Sequence, residues 1–173
     1  MRHVTTRNSF ELGNARFEEC TFLDSRLRMW FAHEAEFVSC RFRGTLDRCS
    51  FFGRPVNQVT PRRRRNDFRA NDFREADFVW CSFRDGIALR DQYWPDSPEY
   101  VLLAEVAARV RRARVAVETW SAEERRAAEV RLDLLLENAE GSDEWFGRRR
   151  EPDDKDFPPS LSDRLWALLE QPL

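Results

Sequence analysis

Lysine occurs once in the 173 residues, at Lys155, and histidine twice, at His3 and His33. Two histidines are few for acid–base chemistry, which draws on histidine more than on any other side chain. The four cysteines, Cys20, Cys40, Cys49 and Cys81, form no C-x-x-C pair, and their spacing matches no zinc ligand set. There is no glycine-rich phosphate loop, no H-E-x-x-H and no G-x-S-x-G. Adjacent carboxylates such as Glu18–Glu19, Glu123–Glu124 and Asp153–Asp154 read as solvated faces. The expectation is a protein without catalytic residues, metal or cofactor. No apolar run approaches the ~18 residues of a membrane span. The first residues, MRHVTTRNSFELG, lack the hydrophobic region of a secretory signal, so the expected location is the cytoplasm.

What is present is arginine. All basic residues but Lys155 are arginines, a bias that reads as codon usage, although the planar guanidinium also suits carboxylate and phosphate contacts. Net charge is only −2, but residues 1–90 carry 17 arginines against 12 acidic side chains. Residues 91–173 reverse the balance, with 12 basic and 19 acidic side chains. Such an asymmetry points to two parts with different surfaces.

The first part has a period. In FRANDFREADFVWCSF, Phe68, Phe73, Phe78 and Phe83 fall five apart. A helix repeats its apolar face about every 3.6 residues and a strand every 2. Earlier in the chain Leu12, Phe17, Phe22, Leu27, Ala32, Phe37 and Phe42 keep the same period. Leu46 then follows by four and Phe51 by five, giving about thirteen repeats in all. Two residues before each large side chain lies a small one or an asparagine. These are Ala15, Cys20, Ser25, Ala35, Cys40, Gly44, Cys49, Asn66, Asn71, Ala76 and Cys81. The exception, Trp30, is paired with small Ala32, as though large and small had changed places. The cysteines all sit in this column and read as small buried residues.

Residues between the two columns are mostly charged, so two positions in five face inward and three outward. A chain turning by about 90° every five residues does this, and four turns make a square coil of about twenty residues. Stacked coils pair at the strand spacing of ~4.8 Å. Phe17, Phe22, Leu27, Phe37, Phe42, Leu46, Phe51, Phe68, Phe73, Phe78 and Phe83 then form ladders along the axis.

The units ADF (Ala76–Phe78) and NDF (Asn66–Phe68 and Asn71–Phe73) resemble the A-(D/N)-(L/F)-x-x unit of pentapeptide-repeat proteins. The resemblance covers residues 10–88. It implies a β-solenoid: a short right-handed quadrilateral β-helix, here of about three to four coils. Some bacterial proteins of that family bind DNA gyrase or topoisomerase IV and protect them from quinolones or peptide toxins. They do so as long acidic rods resembling DNA, often dimerised through the C-terminus, some with loops projecting from the coil. This chain shares the repeat and a projecting loop, but its rod is short and its repeat half is net positive.

The loop lies between Phe51 and Phe68, seventeen residues apart, which breaks the period. Pro55 and Pro61 interrupt regular structure, and Arg62, Arg63, Arg64 and Arg65 run together, so residues 54–65 are expected to project from a corner. Two readings stand side by side: a solvated basic loop, or an arginine patch that meets an acidic protein surface or nucleic-acid phosphates. No aromatic stacking platform accompanies the run in sequence.

Residues 1–92 thus form the expected repeat domain and 93–173 a helical one. Tyr93, Trp94 and Pro95 are expected to plug the open end of the coil. Ser97 and Pro98 suit a helix start. Leu103, Val106, Val110, Ala113, Val117 and Trp120 then continue as one apolar stripe. Ser121 and Glu124 fit a capping box for a second helix, which carries Ala128, Leu132, Leu135 and Leu136 and ends at Gly141. GRRREPDDKDFPP, Gly147–Pro159, reads as a polar connector, and Ser160 or Ser162 as the start of a short last helix. The stripes serve internal packing, or else a homodimer or partner interface anchored by Trp120, Trp145 and Trp166. The expected function is non-enzymatic: a rigid scaffold engaging a macromolecular partner, in the setting of toxin or antibiotic self-protection. The alternatives are protection of gyrase or topoisomerase, nucleic-acid association through the arginine loop, and an enzyme with its site where coil meets helices.

Overall fold

The computed structural model describes residues 10–56, 63–155 and 157–173. Ten short strands come first: β1 (Phe10–Glu11), β2 (Arg16–Glu18), β3 (Thr21–Arg28), β4 (Trp30–Ala32) and β5 (Glu36–Val38). They continue with β6 (Arg41–Asp47), β7 (Ser50–Phe52), β8 (Phe68–Arg69), β9 (Asp72–Val79) and β10 (Ser82–Arg84). The chain visits three sheets in strict rotation. The orders are β1-β4-β7-β10, β2-β5-β8 and β3-β6-β9, and every pairing within them is parallel.

Register explains the period of five. Phe17 lies beside Phe37 and Phe37 beside Phe68. Phe22 lies beside Phe42, Leu27 beside Leu46, Leu46 beside Phe78, and Phe51 beside Phe83. The long strands β3 and β6 carry two of these side chains each, with a register shift between them. Like residues therefore stack. Ring centroids are 4.7 Å apart for Phe22–Phe42, 4.6 Å for Phe42–Phe73 and 5.1 Å for Phe73–Trp94. Each fully buried ring contributes roughly 1.5–3 kcal/mol of transfer free energy. Trp30 and Ala32 are both buried, as are Cys40 and Cys49.

The asparagines of the small column replace missing backbone partners. Asn71 donates from Nδ2 to the Phe37 carbonyl (2.9 Å) and accepts from the Cys40 N–H (3.0 Å). Asn66 donates to the carbonyls of His33 (2.9 Å) and Phe52 (2.8 Å). Residues in the left-handed region directly follow most strands: Glu19, Met29, Ser39, Arg48, Ala70 and Trp80, with φ of 52–54°. All but the last donate their N–H to a carbonyl in the next layer, as Ser39 does to Arg69 (3.0 Å). Trp80 has no next layer, and its N–H goes to a Glu151 carboxylate oxygen instead (2.9 Å).

The second part departs from expectation. Residues 100–104 are not the first turn of a helix but a strand, β11 (Tyr100–Ala104). The first helix, α1 (Val106–Val117), starts later, its first turn capped by Asp143, whose carboxylate accepts from the Ala107 N–H (2.8 Å). The second helix, α2 (Ala122–Asn138), has the Ser121–Glu124 capping box and ends before Gly141. β12 (Glu144–Arg148) then pairs antiparallel with β11, so Gly147 and Arg148 belong to a strand and not to a connector. The last helix, α3 (Pro159–Leu169), begins at a proline before either serine, and Ser162 is buried with its hydroxyl donating to the Arg149 carbonyl (3.1 Å).

The β11–β12 ribbon is the wall between two cores. On one side Tyr100 and Phe146 join the aromatic stack, and Phe146 lies 3.8 Å from Trp94, ring to ring. On the other, Val101, Leu103 and Trp145 join the cluster formed by the three helices. Alternation along a strand delivers this without further devices. Trp94 and Phe146 close the end of the stack, whereas Tyr93, 56% exposed, lies outside it. No helix among the described residues is long and apolar enough to cross a membrane.

Candidate functional site

Two places present side chains not consumed by the fold. The first is the corner from which the arginine segment leaves the stack. The Asn66 N–H donates to the Gly53 carbonyl (2.9 Å) and closes its base. Gly53 cannot be larger there, since a Cβ would sit 2.6 Å from the Asp85 carbonyl oxygen. Arg63 is a clamp and not a free cation: it pairs with Glu36 (3.3 Å) and donates to Asn66 Oδ1 (3.2 Å) and to the Glu34 carbonyl. Arg64 and Arg65 are exposed, as is Arg54, and none of the three has an ion-pair partner among the described residues. Arg62 lies outside the described residues.

Beside this corner most charges on the outer walls are paired. Arg16 pairs with Glu18 (3.2 Å), Glu36 (3.2 Å) and Asp67 (3.3 Å), the last two in successive layers. Arg41 pairs with Asp72 (3.4 Å) and Arg43 with Glu75 (3.5 Å) across β6 and β9. Hydrogen bonds from Arg74 hold the Asp72 carboxyl down at about 2. The wall of β4 and β7 carries an aromatic row, with His33 5.9 Å from Phe31 and 4.7 Å from Phe52. All three are half-buried, and Asn66 at the loop base bonds to the carbonyls of two of them.

The second place is a cleft of about 340 Å³ between the end of the sheet stack, α2, α3 and residues 148–157. Trp80 stands at its edge, where its indole N–H donates to Asp153. Arg131 lies over the rings of Trp80 (5.7 Å) and Phe157 (5.1 Å) and is ion-paired to the buried Asp154 carboxylate. The floor is apolar, formed by Leu135, Leu165 and Leu169 with the Trp145–Trp166 pair, whose rings are 5.3 Å apart. Five arginines line the cleft, and four are already paired. Arg84 meets Glu137 (2.9 Å), Arg131 Asp154, Arg148 both Asp77 and Glu99, and Arg149 Glu170. Arg150 is exposed and has no partner among the described residues.

The cleft's titratable groups are committed to holding its shape. Burial pushes the Glu151 carboxyl up, and that group accepts from the Trp80 N–H. Burial likewise pushes the Cys81 thiol up, and the thiol donates to the Leu46 carbonyl (3.2 Å). A thiol held protonated is a poor nucleophile. An apolar floor between paired, charged walls is an arrangement suited to binding.

Of the tryptophans singled out by sequence, Trp166 is buried and Trp120 and Trp145 are half-buried. Trp145 and Trp166 pack on each other within the helical core, and Trp120 is half-buried under the Arg164 guanidinium (4.2 Å). Among the residues that shape the cleft, Trp80, Arg131 and Phe157 belong to no motif, and Asp154, expected on a solvated face, is instead buried and paired with Arg131. One signal was available: Trp80 is a large aromatic at a corner position of the repeat that elsewhere holds Glu19, Ser39 or Arg48. The chain matches no protein-family model, no characterised protein and no solved structure.

Proposed function

We propose that this chain is a non-enzymatic binding protein, a short pentapeptide-repeat β-helix that presents its arginine corner to an acidic macromolecular partner. Rotation of the chain through three parallel sheets, with the longest strands bent by a register shift, supports a four-sided right-handed coil. The observation that carries the functional reading is the contrast in charge pairing. Most arginines on the outer walls, though not Arg26, are ion-paired in ladders, while Arg54, Arg64 and Arg65 stand exposed beside them with no ion-pair partner among the described residues. A rigid scaffold with a cluster of uncompensated cations at a corner steers an acidic partner to that corner. Paired walls do not make a DNA-like acidic rod, so topoisomerase binding is one outcome of the test and not its premise.

A second reading has its own support. The row Phe31, His33 and Phe52 beside exposed arginines is a pairing that single-stranded nucleic acid uses, with stacking on aromatics and phosphates on arginine. Affinity capture with the intact chain, wild type against Arg64→Glu/Arg65→Glu, tests the first reading. The partner is the protein retained by wild type, released by salt and lost with the double variant, and equal retention by both chains overturns the proposal. If the retained protein is a topoisomerase, its supercoiling activity changes on adding the chain. Fluorescence anisotropy with a dT oligonucleotide reads the second, and salt-independent or absent binding removes it.

A further inference from the structure

We infer that the cleft between the sheet stack and the helices is a site for a small free carboxylate with an apolar body, such as an aryl-alkanoic acid. The volume of about 340 Å³ lies within the range of ligand pockets. Its floor of Leu135, Leu165, Leu169 and Trp166 offers the apolar body a dry surface. Most polar groups on the walls are satisfied by one another: Arg131 by Asp154, Glu151 by the Trp80 N–H, and the Ser82 hydroxyl by Ser50 (3.0 Å), while the buried Arg84 Nε and Asn138 Oδ1 have no hydrogen-bond partner among the described residues.

Charge then selects the head group. Of the five arginines that line the cleft, four hold acidic partners, and Arg150 alone has none among the described residues. Two lining carboxyls, Glu151 and Asp154, repel a second anion, so the ligand's own carboxylate belongs at the exposed Arg150 and its apolar end at the leucine floor. A cationic ligand would be repelled by Arg150, the lining guanidinium without an acidic partner among the described residues. A neutral one would leave Arg150 unused and gain only the apolar term.

The test uses the intact chain and 8-anilinonaphthalene-1-sulfonate, a fluorescent apolar anion, as reporter. Saturable binding with one site is expected, displaced by 4-phenylbutyrate at least tenfold more effectively than by 4-phenylbutanol. Arg150→Ala is expected to weaken phenylbutyrate about tenfold and leave phenylbutanol unchanged, since the residue is exposed and has no hydrogen-bond or ion-pair partner among the described residues. Leu134→Glu, at an exposed position on the cleft wall, is expected to abolish both. Equal displacement by acid and alcohol overturns the inference. So does an Arg150→Ala chain that binds the acid as wild type does, or a reporter signal that never saturates. The far-UV spectrum of each variant shows whether its helices are retained.

Discussion

Single residues at the end of the sheet stack do the work that a further layer of strand does elsewhere. Phe78 would donate its N–H to a neighbouring strand, but it is the last of its column, and the Tyr100 hydroxyl accepts instead (3.0 Å). The Arg148 guanidinium donates to the Phe78 carbonyl (2.9 Å), so both polar groups of that peptide pairing are met by side chains. An edge satisfied in this way offers no template for another chain. The arrangement has a titration signature. Burial, ahead of the hydrogen bond to Asp77, pushes the Tyr100 phenol up to about 12, against about 10 in an unfolded chain. A folded-state value above the unfolded one favours the native state below about pH 10, and that contribution disappears as pH rises through about 12. Tyrosinate absorbance is therefore expected to show a late step near pH 12, absent in Tyr100→Phe. An absorbance curve described by one step at about pH 10 for both tyrosines contradicts the placement.

Elements divide sharply by how plainly the chain spells them. The repeat is legible because five-residue register puts Phe37, Phe42, Phe51 and Phe73 at fully buried positions, and nothing local competes with that pattern. α2 is legible because Ser121 and Glu124 state its start. β11 is not. Leu103 and Val106 fit the helical stripe that runs on through α1, but Tyr100 and Leu103 are placed by strand alternation between two different cores. Only a partner forty residues away, β12, decides between the two, and a local pattern cannot report a distant pairing. The cleft stayed hidden for the same reason, since Trp80 and Arg131 meet only once the helices have folded back on the stack.

Corners are the other device at this scale. Ser39 adopts φ of 52° to turn the chain from β5 toward β6, and it is exposed. A left-handed conformation costs an L-residue roughly 1–2 kcal/mol, and glycine gives back roughly 0.5–1 kcal/mol of that in chain entropy. Ser39→Gly is accordingly expected to stabilise the fold by about 0.5 kcal/mol, raising its urea midpoint without altering the slope. A lowered midpoint means that the Ser39 side chain contributes more than the corner conformation costs.

At the scale of the whole molecule, the ribbon makes one body of two cores. Phe146 is packed in the aromatic stack while its neighbour Trp145 is packed among the helices, so neither core keeps its wall if the other is lost. Ion pairs that bridge the two, Arg48–Asp153 (3.3 Å) and Arg84–Glu137 (2.9 Å), are part-exposed and add little to this. The proposed binding role depends on the coupling, because a loop steers a partner only from a frame that does not yield, and the cleft exists only while stack and helices stay together. Unfolding of the intact chain in urea, followed at once by near-UV circular dichroism for the aromatic stack and by the 222 nm signal for the helices, tests this coupling directly. Coincident transitions are expected, moving together to lower urea in Phe146→Ala, while a helical transition that stays in place when the aromatic one shifts contradicts a single rigid frame.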